Sequence, residues 1–418
     1  MNGMKIYGLL AGVCLLAQSC YFSEEDIFDQ SSAQRAMASV EECQTALKSA
    51  SNGWLMAYYP GSEGPVYGGY NLIAKFDGEK VQLSGEMATP NYVAGAVAES
   101  LYKVSSFQGT ELSFDGYNEV IHHFCEPNSF YDPGYQGDYE FIFRTVSADR
   151  IELTGKKYGN TVVMTRLPDG FDGKTYLEAV SALATDAAYA RFDVQVNGKI
   201  LTTFVENGHA FTLSQMDNTG EINETIIPFI YTDKGIQLAD TLRYGGVEMT
   251  SFSWDSKAIT YTCMDNGVDA KLILNVPEDF KKYIGNYMLQ TTNNAAIACS
   301  LEAKRLGSTY SLKLNRKGVD LELVFTYNAN TGCIDLMSQV VAITGSDTYY
   351  FYPGYGSNFF PYPGVGFIGE LQKDTPMTIG FTYNNNNPSV NTILLLYERS
   401  DGWYLLDSFA NPVLIKQG

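Results

Sequence analysis

Lys75-Phe76-Asp77-Gly78-Glu79-Lys80-Val81 is the stretch that decides the fold class. Asp77-Gly78 supplies the positive φ angles of a tight primed turn, and apolar and charged residues alternate on both sides, so the segment reads as a β-hairpin. The signature recurs at Val196-Asn197-Gly198-Lys199, Glu206-Asn207-Gly208-His209 and Asp265-Asn266-Gly267-Val268. Arg316-Lys317-Gly318 and Asn330-Thr331-Gly332 read as further turns. Phe192-Asp193-Val194-Gln195-Val196 alternates with the period of two that a half-buried strand requires. Near the first hairpin, Phe107-Gln108-Gly109-Thr110-Glu111 joins another strand pair, and Tyr139–Val146, Arg150–Thr154 and Thr161–Thr165 are strands. About eight strands between Trp54 and Thr165 suffice for one closed or nearly closed sheet.

Helical periodicity is confined to short stretches. From Ser31 to Ala50, residues Ala36, Met37, Val40, Cys43, Ala46, Leu47 and Ala50 form an apolar stripe at three- and four-residue spacing. Ser31 or Ser32 caps it and Asn52-Gly53 stops it. Thr175–Ala188 is the second helix, and Pro277 opens a helical turn through Phe280–Tyr283. The expected class is therefore all-β: two antiparallel β-meander or barrel-like units, a β-rich linker region, one N-terminal helix and one short middle helix. The partition is 1–19 signal peptide, 20–30 tether, 31–170 N-terminal β domain, 171–276 middle β region and 277–418 C-terminal β domain. Gly285-Asn286-Tyr287, after its helical turn, faintly resembles the start of a lipocalin-type barrel.

The 418 residues carry 28 Lys and Arg against 47 Asp and Glu, a net charge of −19. With 45% hydrophobic and 13% aromatic residues the chain is not disordered, and 18% charged residues is too few for a coiled coil. Without a basic patch, such an acidic chain repels nucleic acid.

The first residues are an address rather than a fold. Lys5 precedes an uncharged run, Ile6 to Ala17, of signal-peptide length and too short to span a membrane. Leu16-Ala17-Gln18-Ser19-Cys20 resembles a bacterial lipobox, which makes Cys20 the lipid-attachment residue; an ordinary secretory signal with an incidental Cys is the alternative. Glu24-Glu25-Asp26 resembles the export tag of Bacteroidetes-type surface lipoproteins, or is simply a solvated tether. Of the remaining cysteines, Cys43, Cys125, Cys263, Cys299 and Cys333 are odd in number and widely spread, so single buried thiols are expected over a disulfide framework.

Asn52-Gly53-Trp54 through Tyr58-Tyr59-Pro60, Tyr67-Gly68-Gly69-Tyr70-Asn71, Leu112-Ser113-Phe114-Asp115-Gly116-Tyr117-Asn118, Ile121-His122-His123-Phe124, Gly137-Asp138-Tyr139-Glu140-Phe141 and Leu153-Thr154-Gly155-Lys156-Lys157-Tyr158-Gly159-Asn160 carry a family likeness. The chain resembles a domain-of-unknown-function family, numbered 4302, of Bacteroidetes-type lipoproteins. The likeness implies an accessory lipoprotein of starch-utilisation-system-like importers. It brings no functional residues with it.

His122, His123, Cys125, Glu126, Asp132 and Asp138 are the one cluster of ligand-type side chains. Placed on a strand, His122 and Glu126 share one face, and His123 and Cys125 the other, so four ligands do not converge and no metal is expected. No HExxH, GxSxG or P-loop pattern occurs. Asp217 to Glu224 resembles a calcium loop only loosely and reads better as a solvated turn. A carboxylate-pair glycosidase needs no motif and stays open as the enzymatic alternative, beside a purely structural subunit. No cofactor is expected.

The aromatic segment after Tyr349 is the binding candidate. Tyr350, Tyr352, Tyr355, Phe359, Phe360 and Tyr362 are the proposed contacts for a carbohydrate, a peptide or an importer subunit. Pro353, Gly354, Gly356, Pro361 and Pro363 are expected to break regular strand there and leave rings exposed. The resulting expectation is a non-catalytic lipoprotein of the outer membrane, facing outward, that captures a ligand or joins a nutrient-import complex.

Overall fold

The computed structural model describes residues 31–89, 92–107, 109–127, 133–356, 358–399 and 402–417. The expected signal segment (1–19), Cys20, the expected tether (20–30) and Asp132 lie outside the described residues. The chain divides into two compact units, 1–181 and 182–418. The protein is all-β, with four helices among the described residues.

In the first unit, α1 (Ser32–Lys48) starts at a reciprocal cap: the Gln34 N–H donates to Ser31 Oγ at 3.3 Å, and the Ser31 N–H donates to Gln34 Oε1 at 3.0 Å. It buries Cys43 and Leu47, and Trp54 Nε1 donates to the Leu47 carbonyl at 2.8 Å. The helix packs on an antiparallel sheet of β1 (Trp54–Tyr59), β2 (Tyr70–Asp77), β3 (Lys80–Gly85), β4 (Ala98–Leu101), β5 (Lys103–Ser106), β6 (Thr110–Ser113), β7 (Glu140–Val146), β8 (Arg150–Gly155) and β9 (Thr161–Arg166). Their order is β4-β3-β2-β1-β9-β8-β7-β6-β5. The two edges, β4 and β5, are joined by the single residue Tyr102. A nine-stranded sheet whose opposite edges are one residue apart must curl almost into a barrel. In the first hairpin the turn residues are Gly78-Glu79, since Asp77 pairs with Lys80, and Gly78 carries the positive φ (56°).

Between β6 and β7, in the long 116–137 segment that does not read as a simple strand, lies α2 (Glu119–His122), so the histidines sit on a helical turn and not on the strand against which their spacing is tested. Asn118 overrides the β-branched pair that follows: its side chain accepts the Val120 N–H at 3.0 Å, and its amide donates to the Ala98 carbonyl at 3.1 Å. α3 (Gly173–Ala187) follows β9.

The middle region is more than a linker. β10 (Arg191–Val196), β11 (Lys199–Asn207), β12 (Ala210–Met216), β13 (Ile222–Tyr231), β14 (Gly235–Tyr244), β15 (Val247–Asp255), β16 (Thr260–Cys263) and β17 (Ala270–Leu274) close into an eight-stranded barrel, sealed where β17 pairs with β10. Asn197 and Gly198 both take positive φ (49° and 75°), as a two-residue primed turn demands. Phe192, Phe204, Phe211 and Phe229 fill the interior.

After α4 (Glu278–Lys282) come β18 (Gly285–Gln290), β19 (Ile297–Arg305), β20 (Thr309–Arg316), β21 (Val319–Asn328), β22 (Cys333–Met337), β23 (Gln339–Thr344), β24 (Asp347–Tyr355), β25 (Asn358–Phe359), β26 (Gly366–Asp374), β27 (Met377–Tyr383), β28 (Thr392–Arg399), β29 (Gly402–Ala410) and β30 (Val413–Lys416). A second closed barrel runs β18-β19-β20-β21-β22-β26-β27-β30. Two hairpins are inserted into its connections, β23–β24 with β25 between β22 and β26, and β28–β29 between β27 and β30. They pair as a separate sheet, β23-β24-β28-β29, with β25 on β24. One face of that sheet joins the barrel core through Tyr349, Phe351, Ile393 and Leu395. β-Bulges at Val341 and Leu406 turn both extra residues into the same core.

Candidate functional site

The histidine cluster does not assemble. His122 packs between Tyr117 and Tyr139, 5.1 Å from each ring, and its Nδ1 lies 3.1 Å from the backbone of Asn118. His123 leans on Phe124 and Tyr135, and burial lowers its pKa. Cys125 donates to the Ile121 carbonyl, and burial pushes its thiol up to about 12. The Asp138 carboxylate accepts the backbone N–H groups of Lys157 (2.8 Å), Tyr158 (3.1 Å) and Asn160 (3.3 Å), so it staples the loop before β9. Any side chain at Gly155 would collide with that carboxylate. His122, His123, Cys125 and Asp138 thus each have their own structural partners, and among the described residues no three His, Cys, Asp or Glu are gathered to hold a metal ion. Cys43, Cys125, Cys263, Cys299 and Cys333 are all free thiols. In the Asp217 segment the carboxylate caps its own turn, accepting the N–H groups of Thr219 and Glu221.

The aromatic segment does make a surface, though not as a broken strand. Pro353 and Gly354 remain inside β24, in register with Ile393 and Thr392 of β28. A Pro needs no ladder donor there, and its carbonyl accepts the Phe360 N–H at 3.0 Å. Gly354 is required because a Cβ would press on Leu394 and on the Asn358 carbonyl. Regular alternation then sorts the rings: Tyr349 and Phe351 enter the core, while Tyr350 and Tyr352 stand on the outer face.

On that face Tyr350 and Tyr352 lie nearly parallel, 5.7 Å apart, and Phe359 continues the row 5.8 Å from Tyr352. Trp403 of β29 sits 5.2, 5.8 and 5.5 Å from Tyr350, Tyr352 and Phe359, its plane steeply inclined to all three. β29 is two strands from β24, so at roughly 5 Å per strand the indole reaches across β28 to meet them. The four rings roof Leu394 and Leu396, which face the same way in register with Tyr352 and Tyr350 and are fully enclosed. Trp403 itself keeps 38% of its surface exposed, and Val340 and Leu405 extend the apolar row at its two ends.

The other three expected contacts lie elsewhere. Phe360, next to Phe359, turns the opposite way and packs against Tyr383 and Tyr355. With Tyr362, Val365, Tyr383, Asn385 and Asn387 it lines a cleft of about 550 Å³. Tyr355 is exposed beside Phe360. The six residues therefore divide between an aromatic face (Tyr350, Tyr352, Phe359) and a cleft (Phe360, Tyr362), with Tyr355 at the margin of the cleft.

A family model described as Domain of unknown function (DUF4302) matches residues 24–256, more than half of the chain. The chain belongs to the DUF4302 family. A second model, DUF4987, also a domain of unknown function, matches residues 249–405 of this DUF4302 member and contains both the aromatic face and the cleft. No curated protein and no solved structure matches the chain. Among the described residues no helix is long and apolar enough to cross a membrane.

Trp403, Tyr383, Asn385 and Asn387 escape the sequence reading. Gly402-Trp403-Tyr404-Leu405 looks like any amphipathic strand, and nothing local brings Trp403 to Tyr350. The one signal available is the run Asn384-Asn385-Asn386-Asn387, too polar for a strand and too long for a tight turn.

Proposed function

We propose that this DUF4302 member is a non-catalytic lipoprotein of the Bacteroidetes-type outer membrane, acylated at Cys20 with long chains such as palmitate and displayed on the cell surface. It captures a carbohydrate or peptide ligand, or docks on a starch-utilisation-system-like importer, through the outer aromatic face of the β23–β24–β28–β29 sheet. The observation that carries this reading is the Trp403 indole, held by three rings beneath it yet open to solvent. An aromatic surface left uncovered is a liability for a monomer and an asset for recognition. The anchor rests on the Leu16–Cys20 pattern and outward display on Glu24-Glu25-Asp26. Stable retention takes more than one acyl chain, as a bacterial lipoprotein carries.

Pull-down from native membranes tests the reading. Wild-type protein should bring down an importer subunit or a ligand, and Trp403→Ala should cut that capture by about tenfold. Capture that survives Trp403→Ala removes the face from consideration. Cys20→Ala should leave the protein soluble or uncleaved, and unchanged membrane retention would refute the anchor.

A further inference from the structure

The cleft beside Tyr383 has a composition of its own. Its walls are Phe360, Tyr362, Val365 and Tyr383, and its rim carries Asn385 and Asn387. Among the described residues no Asp, Glu, Lys, Arg or His lines it, in a chain of net charge −19. Tyr383 is enclosed and fixed against Phe360 and Phe367, whereas Tyr362 is 61% exposed across from it. The rim is built rather than slack. Asn384 accepts the Gly366 N–H at 3.1 Å and donates to the Gly364 carbonyl at 2.8 Å, which ties the asparagine run to the start of β26. Asn387 Oδ1 accepts the Ser389 N–H at 3.1 Å, leaving its amide nitrogen as a donor.

We propose that this cleft binds a neutral saccharide, with Tyr362 and Phe360 stacking on the C–H face of a sugar ring and the amides of Asn385 and Asn387 bonding its hydroxyls. The lining disfavours the competing chemistries. An anion finds no cation there, and a cation finds no carboxylate. A purely apolar ligand would strip water from two amides without replacing their hydrogen bonds. A peptide bound by strand addition would need main-chain bonds to a free strand edge, whereas this rim is made of side chains on a loop; a proline-rich peptide, which aromatic grooves also hold, is the competitor that the titration must include. A sugar ring presents an apolar face and a hydroxylated rim, which matches rings backed by amides. Pockets of a few hundred Å³ with apolar walls and a few polar groups are the ordinary form of small-ligand sites.

Calorimetric titration of the purified protein with neutral oligosaccharides (malto-, cello- and mannohexaose), an oligogalacturonate and an equimolar mixture of short peptides, a proline-rich one among them, tests this. At least one neutral sugar should bind while the oligogalacturonate and the peptides do not. Tyr362→Ala and Asn385→Ala should each weaken that binding by about tenfold. Met216→Ala, an exposed residue of β12, is the matched control and should leave it unchanged. Tyr362 and Asn385 are exposed, so both variants should keep the wild-type melting temperature; if Tyr362→Ala misfolds, Asn385→Ala decides alone. Absence of binding by every neutral sugar, insensitivity to both variants, or peptide binding that depends on Tyr362 overturns the proposal. Because Trp403 does not line the cleft, this outcome is separate from membrane capture through the aromatic face.

Discussion

Phe351 and Tyr352 are neighbours with opposite surroundings. Phe351 is enclosed in the barrel core, so Phe351→Ala should cost about 3–5 kcal/mol, read as a drop in chemical-denaturation midpoint. Tyr352 is half-buried on the outer face, and Tyr352→Ala should cost about half as much while disturbing the ring row under Trp403. Equal losses would mean that the outer face is itself core. Two carboxyls make a second prediction at this scale. Burial pushes Glu86 and Glu206 from an ordinary 4.5 up to about 8. Glu86 accepts from the Asn71 backbone N–H at 3.0 Å, and Glu206 from the Tyr231 hydroxyl at 3.0 Å. The folded state holds their protons longer than the unfolded state does. The stability these groups contribute is therefore complete below about pH 4.5 and is lost as pH rises towards 8. Glu206→Gln should flatten that decline and raise stability at pH 8 by about 1–3 kcal/mol. A decline as steep as wild type's in that variant would refute it.

At the scale of elements, the hairpins and the two long helices were legible because their causes are local. Asn197-Gly198 can hardly do other than turn, and the Cys43–Leu47 stripe has one face to bury. Two segments show a local rule meeting a stronger partner: 116–137 reads only as a long non-strand segment, without its helix, and the strand break expected at Pro353–Gly354 does not occur. Val120 and Ile121 favour a strand, but the Asn118 cap and its bonds to Ala98 and Ser100 win a helix. Asn118→Ala removes the cap and two anchoring bonds at once and should cost about 2–3 kcal/mol in thermal unfolding. A loss under about 0.5 kcal/mol would show the helix is set by packing alone. Pro353 and Gly354 look like strand breakers, yet β24 keeps its register through them because its partner on that side asks no N–H of Pro353 and no side chain of Gly354. The aromatic face was half legible for the same reason. Its β24 rings lie close in sequence, but Trp403 arrives through pairing that no period encodes.

For the whole molecule, closure is the property hidden from a linear reading. The middle barrel depends on β10 meeting β17, far apart in the chain, so a region that reads as a linker is a sealed structure. The overlap of the two family matches, 249–256, runs through most of β15 and ends one residue beyond it. A chain cut at 256 lacks β16 and β17, and leaves β10 and β15 with bare edges. It should aggregate on size exclusion, whereas a chain cut at 276 should run smaller and sharper. Identical elution of the two would contradict the closed barrel. The outer sheet of the C-terminal barrel has a different kind of dependence. Its hairpins enter at separate connections, one bringing Tyr350, Tyr352 and Phe359, the other Trp403. Neither is a transplantable cassette: a recombination event or a graft that carried one would deliver half a surface, and β28–β29 alone would expose both Leu394 and Leu396 to water. The aromatic face can therefore be inherited only as a pair of insertions, and its residues must drift together.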